Sequence, residues 1–155
     1  MRTLRKRFWL TLEILALLWL FSCKNALPRI KVKDLSGAEL YLSSLKGKPV
    51  ILYVWSRTCV GHERHLKELQ RIAIERKDLY VVSYAVAMEV KDVQNSYKEM
   101  GIKNPSFITL VDTPVRLNEF YTIEFLPSTF VFDSSGKLIG VKPGLSPPPR
   151  RGGFL

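Results

Sequence analysis

Val50-Ile51-Leu52-Tyr53-Val54-Trp55 is an unbroken apolar run that follows the turn Lys46-Gly47-Lys48-Pro49. Six such residues, rich in β-formers, predict a strand covered on both faces, as in the middle of a parallel sheet. Downstream, Leu66, Leu69, Ile72 and Ala73 recur at helical spacing among charged neighbours, which predicts an amphipathic helix over about 60–77. The stretch 79–87 (LYVVSYAVA) reads as a second buried strand, so strand, helix and strand form a βαβ crossover. A second helix is expected over 90–100, ended by Gly101, then a short strand at 107–111 and a helical turn at 115–121. Weak alternation at 30–35 and 39–42 around Ser36-Gly37 predicts an N-terminal hairpin. A closing hairpin pairs 128–133 with 137–142 across Ser134-Ser135-Gly136. The expected order is two strands, βαβα, a small βα piece and two strands, an α/β protein.

Before this pattern begins, residues 2–7 (RTLRKR) are basic and residues 8–21 (FWLTLEILALLWLF) are apolar except for Glu13. A basic start and a short apolar run have the form of an export signal. Fourteen residues fall short of the roughly 20 that a spanning helix needs. Leu20-Phe21-Ser22-Cys23 resembles a bacterial lipobox, in which Cys23 would become the lipid-bearing first residue. Lipoprotein, uncleaved signal anchor and core segment are the three readings. The first two attach the chain to a membrane through its N-terminus and place the body outside the cytoplasm, where disulfide chemistry is available. The expected division is a leader or anchor over 1–23, one domain over 27–145, and a proline-rich tail over 146–155.

Composition bounds the function. A length of 155 residues with 46% hydrophobic and 25% charged residues suits one globular domain with a short appendage at each end. Of the net charge of +10, the first 22 residues hold +3 through Arg2, Arg5, Lys6 and Arg7 against Glu13. The remaining basic residues are mixed with acids, as in Lys67-Glu68 and Arg76-Lys77-Asp78, and no aromatic stripe lies between them. This is a solvated basic surface suited to an anionic membrane, and nucleic acid is not an expected partner.

Chemistry concentrates in Trp55-Ser56-Arg57-Thr58-Cys59-Val60-Gly61-His62, where the first central strand gives way to its helix. Backbone N–H groups and the dipole at a helix start favour a thiolate, so a lowered Cys59 pKa is expected there. His62, one turn along, either stabilises the thiolate and moves its proton or fills space in phase with Leu66 and Leu69. His65 lies three residues further on. A metal on Cys59, His62 and His65 lacks an evident fourth ligand, so neither metal nor cofactor is expected.

With these residues the chain resembles the thioredoxin superfamily, and within it the extracytoplasmic TlpA- and ResA-like branch. The likeness covers 27–145 and rests on Leu27-Pro28, the stretch 42–45 before Lys46-Gly47-Lys48-Pro49, Trp55, Cys59 and Phe125-Leu126-Pro127-Ser128-Thr129-Phe130. It implies a thioredoxin-like fold, with a central mixed sheet, an N-terminal hairpin extension and flanking helices. It also implies a cis Leu126–Pro127 bond beside the nucleophilic Cys59. Trp55, Leu126 and Pro127 would form the substrate side of the site. Three departures stand out. The family's Cys-x-x-Cys is here Cys59-Val60-Gly61-His62, its tryptophan before the first cysteine is Thr58, and Tyr53 stands where a buried carboxylate is common. After the last hairpin, family members add a helix over one sheet face. Its replacement by the tail leaves apolar surface for a partner or the membrane, or reflects truncation.

What the resemblance implies is a cell-envelope thiol–disulfide oxidoreductase. With one cysteine at the site, Cys59 would form a mixed disulfide that an external thiol must release. Its partners would be protein thiols and disulfides, among them components of cytochrome c maturation. The alternative is a redox-inactive binding module that keeps the peptide groove. A one-cysteine peroxidase is weaker, because Thr58 directly precedes Cys59 and the spacing of peroxiredoxins is missing.

Overall fold

The computed structural model describes residues 26–151. The segment over 1–23 that is expected to be an export signal or anchor, with Cys23, lies outside the described residues, as does the end of the tail. The strands are β1 (Lys31–Asp34), β2 (Glu39–Tyr41), β3 (Val50–Trp55), β4 (Tyr80–Val86), β5 (Ile108–Asp112), β6 (Ser128–Phe132) and β7 (Leu138–Pro143). Two helices, α1 (His62–Glu75) and α2 (Val90–Glu99), link β3 to β4 and β4 to β5, and 3-10 turns occupy Leu42–Ser44 and Arg116–Glu119. The strands form one mixed sheet in the order β2-β1-β5-β4-β3-β6-β7. β3, β4 and β5 run parallel, while β1 and β6 pair antiparallel to β5 and β3. The fold is thioredoxin-like.

Every residue of β3 is buried, as its unbroken apolar run requires. Alternate residues divide between two cores. Ile51, Tyr53 and Trp55 meet Leu66, Leu69, Ile72 and Ala73 of α1 and Val93 and Tyr97 of α2. Val50, Leu52 and Val54 face Leu27, Ile30, Leu42, Leu45 and Leu117 on the other side. Both helices therefore share a face, the outcome when two successive crossovers of the same hand step in the same direction.

The two hairpins use one local device. Asp34 Oδ1 accepts hydrogen bonds from the Ser36 and Ala38 N–H groups and the Ser36 hydroxyl. Asp133 Oδ1 does the same for Ser135 and Lys137. In each Asp-x-Ser-Gly turn the glycine has positive φ, +90° at Gly37 and +88° at Gly136, a conformation that costs other residues. At the end of β5, the buried Asp112 takes the Tyr84 hydroxyl at 2.8 Å and the Leu117 N–H at 2.9 Å on one carboxylate oxygen, pinning the 3-10 turn to the sheet.

The tail departs from expectation. Leu145 packs against the helix-side core, the Ser146 N–H donates to Thr129 Oγ1 at 3.2 Å, and Arg76 Nη1 donates to the Pro149 carbonyl at 2.9 Å. The proline-rich chain thus returns over the helix side of β6 and covers part of the surface expected to be left open. Extended backbone does this without helical hydrogen bonds, which the prolines cannot donate.

Candidate active site

The site is built where β3 runs out into the turn before α1. The Cys59 N–H donates to the Ser56 carbonyl at 3.0 Å, which closes the turn, and the Ser56 N–H donates back to Cys59 Sγ at 3.2 Å. Gly61, at φ +80°, caps the helix without a side chain. Cys59 is 7% exposed and belongs to the helix-side core, whereas neighbouring Val60 is 92% exposed. Burial pushes the Cys59 thiol above its ordinary pKa, and the Ser56 N–H pulls only partly the other way. The expected lowering is thus corrected: the sulfur turns into the core, where desolvation penalises the anion.

His62 does not hydrogen-bond the sulfur. Its Nδ1 pairs with the Cys59 carbonyl, and its ring stacks on Trp55 at 5.3 Å between centroids and 11° between planes. Trp55 is wholly buried and presents no surface to a substrate. Below it, the stack continues to Tyr97 at 6.2 Å, and Trp55 Nε1 donates to Ser83 Oγ at 2.8 Å. The Tyr97 hydroxyl donates to the same Ser83 oxygen at 2.7 Å and lies 3.0 Å from Thr109 Oγ1. An aromatic column with a satisfied polar core therefore holds the cysteine turn from beneath.

The cis bond expected at Leu126–Pro127 is present, and the Pro127 carbonyl accepts the Gly144 N–H at 2.8 Å. Ser128 pairs with Val54, so Pro127 lies one residue beyond, at the end of the sheet where β3 leads to Cys59. Leu126 and Phe125 are exposed beside it. On the opposite face of the sheet, Ile123, Phe125, Ser128, Phe130 and Val141 help to line a cavity of about 230 Å³. The Ser128 hydroxyl is buried there with no hydrogen-bond partner among the described residues.

Two further residues join the site. Tyr53, wholly buried on the same face of β3 as Trp55, places its hydroxyl 2.9 Å from His65 Nδ1, with the rings edge to face at 5.6 Å. Burial, and then the proximity of Cys59, raise the Tyr53 pKa. Burial, and then the charges of Arg64 and His62, lower that of His65. The sequence shows both residues but not their pairing, which joins a strand to the second turn of a helix 12 positions away. The inward alternation of Tyr53 with Trp55 was the available signal. Among the described residues, no group of three or more His, Cys, Asp or Glu is placed to hold a metal ion.

The buried phenols give the protein a pH signature. Tyr97 is pushed up to about 12 by burial, and Tyr53, Tyr84, Tyr121 and the Cys59 thiol are also raised. Above about pH 9 the unfolded chain releases protons that the folded chain keeps, so stability must fall as pH rises. The loss continues until the folded groups ionise. Tyr97 alone accounts for roughly 3 kcal/mol by that point. Urea midpoints should be lower at about pH 10.5 than at about pH 8; equal midpoints would contradict the burial of these groups.

A family model described as the AhpC/TSA family matches residues 23–141. Among curated proteins, the chain is similar to the thiol-disulfide oxidoreductase ResA of Halalkalibacterium halodurans, 28% identical over 158 residues, covering 90% of this chain and 88% of that one. It is also similar to ResA of Bacillus subtilis, 30% identical over 122 residues, covering 76% of this chain and 65% of that one. Among solved structures, it resembles the pneumococcal exposed lipoprotein thioredoxin Etrx1 of Streptococcus pneumoniae with a TM-score of 0.64 and 28% identity, over 76% of this chain and 90% of that one. A secreted Mycobacterium tuberculosis disulfide oxidoreductase gives a TM-score of 0.62 at 21% identity, over 76% of this chain and 88% of that one, a likeness of fold.

Proposed function

The chain belongs to the AhpC/TSA family, and from that premise we propose that it carries out thiol–disulfide exchange in the cell envelope through Cys59 alone. The observation that carries this reading is the placement of Cys59 at the β3–α1 junction, at the sheet end shared with the cis Leu126–Pro127 ledge. The Cys59 thiolate attacks one sulfur of a substrate disulfide; that S–S bond breaks, a mixed disulfide forms, and the other sulfur departs as a thiolate. A second, external thiol then displaces Cys59, since the position three residues on is His62 and the one other cysteine, Cys23, follows the apolar N-terminal run. Backbone groups at Leu126 would align an extended substrate segment, with exposed Phe125, Leu126 and Val60 as its apolar border.

The basic and apolar start of the chain supports attachment to the membrane, by lipid on Cys23 or by an uncleaved anchor. Among the described residues, no helix is long and apolar enough to cross a membrane. Protein thiols and disulfides, including those of cytochrome c maturation, are the partners this reading names; nucleic acid is not among them. Burial of Cys59 favours a second reading, a binding module that keeps the ledge without redox turnover.

Oxidised glutathione separates the two. The purified chain is expected to gain one glutathione that a reductant removes and that maps to Cys59, forming faster as pH rises through the thiol pKa. Absence of an adduct at every pH at which the chain stays folded would leave the binding reading.

A further inference from the structure

The chain enters the body at the end of the sheet opposite Cys59. Ala26 bridges Lys137, and the Leu27 N–H donates to the Gly136 carbonyl at 2.7 Å, so the first described residues lie against the β6–β7 turn. Contacts run from this turn around the same end of the sheet. The Gly47 N–H donates to the Ser134 carbonyl at 3.1 Å, Lys48 Nζ to the Lys77 carbonyl at 2.9 Å, and Arg76 Nη1 to the Pro149 carbonyl at 2.9 Å. They gather Lys46, Lys48, Lys77, Lys137, Arg150 and Arg151 at one pole, and all six are exposed. We propose that this pole docks on the headgroups of an anionic phospholipid bilayer, with Cys59 and Leu126–Pro127 turned away from it. The docking rests on the membrane attachment proposed above, and names the face and the lipid that serve it.

Charge at the pole is one-sided. Asp78 is paired with Arg76 at 2.8 Å, and Asp133 is occupied by the N–H and hydroxyl groups of its own turn. Among the described residues, none of Lys46, Lys48, Lys77 and Lys137 joins an ion pair. Nearer Cys59, by contrast, Lys67 pairs with Glu63 and Arg57 with Glu99. Each basic residue held near an anionic lipid surface strengthens binding by about five-fold.

The connection to the apolar run is short. That run ends at Phe21, five residues before Ala26, and Cys23 stands three before it. A chain extends at most about 3.6 Å per residue, so Ala26 stays within roughly 18 Å of an embedded Phe21 and roughly 11 Å of a lipidated Cys23. In 0.1 M salt the field of a charged surface decays over about 10 Å. Either attachment therefore holds the pole where anionic headgroups attract it. Strand β3 runs from Val50 at this pole to Trp55 below the cysteine turn, about 17 Å at the usual rise, so the site clears the headgroups and faces the aqueous side.

The test is acetylation of lysines in the full chain held in lipid nanodiscs, read by mass spectrometry. One kind of disc is phosphatidylcholine alone, and the other adds phosphatidylglycerol. Lys91, at the start of α2, and Lys142, in register with Thr129, are exposed near the Cys59 end and serve as the internal reference. With phosphatidylglycerol, Lys46, Lys48, Lys77 and Lys137 are expected to react at least about five-fold more slowly, against that reference, than in neutral discs. Salt raised from about 0.1 M to about 1 M, which shortens screening to about 3 Å, should abolish the difference. A Lys46→Glu/Lys137→Glu variant should lose the protection of Lys48 and Lys77. Equal reactivity in the two lipids would overturn the docking, as would protection that survives in the variant. Slowing of Lys91 and Lys142 to the same extent would also overturn it, because no one face would then be favoured. A chain that elutes free of both kinds of disc would instead remove the membrane attachment itself, and the docking with it.

Discussion

A His62→Cys variant will form an internal disulfide with Cys59, and its glutathione adduct will resolve without added thiol. On the proposed mechanism the adduct of the parent chain waits for a second molecule. In the variant the resolving sulfur sits where His62 now touches the Cys59 carbonyl, at the first residue of α1. Well-oriented intramolecular steps reach effective molarities on the order of 10⁵ M or more, so release should outpace millimolar external thiol by several powers of ten. The substitution forfeits the stack on Trp55, worth about 1 kcal/mol, which the fold can absorb. The measurement is the lifetime of the adduct by mass spectrometry after removal of free glutathione. A variant adduct as long-lived as that of the parent, or two thiols that stay free in air, would show that the turn does not hold these positions as described.

Trp55→Ala should be the most damaging single change away from the sulfur. The indole is wholly buried, lies between His62 and Tyr97, and donates to Ser83, so truncation empties a large volume and leaves a polar network short of a donor. Large aromatic deletions in cores cost about 3–5 kcal/mol. Against a total stability of roughly 5–15 kcal/mol this is a major fraction, and a drop in Tm of roughly 10–20 °C is expected. Trp55→Phe keeps the stack and loses the N–H, so it should cost about 1–2 kcal/mol on that account. Calorimetry on the three proteins checks the order. A Trp55→Ala protein within about 1 kcal/mol of the parent would mean that the column does not support the site.

Most elements were legible because each rests on a local pattern. The run at Val50–Trp55, the spacing of Leu66, Leu69, Ile72 and Ala73, and the two Asp-x-Ser-Gly turns each express a short-range rule, and the observed strands and helices follow within a few residues. That Leu126-Pro127 and Cys59 belong at one end of the sheet came from the resemblance, since they are far apart in sequence. The exposure of the thiol was not legible. Its position before a helix suggested an anion-favouring site, and only the packing of the turn shows that the sulfur faces the core. The role of Trp55 beneath the site, rather than on it, was hidden for the same reason.

By itself the sequence determined an α/β chain with a basic and then apolar start, one cysteine at a strand-to-helix junction and a histidine three residues after it. These are matters of composition, period and spacing, and they survive in any arrangement of the elements. The tertiary structure alone decided which side chains meet. It set His62 on Trp55, Tyr53 against His65, and the tail over β6, because the contacts between distant segments depend on how the sheet orders its strands and which face each residue presents.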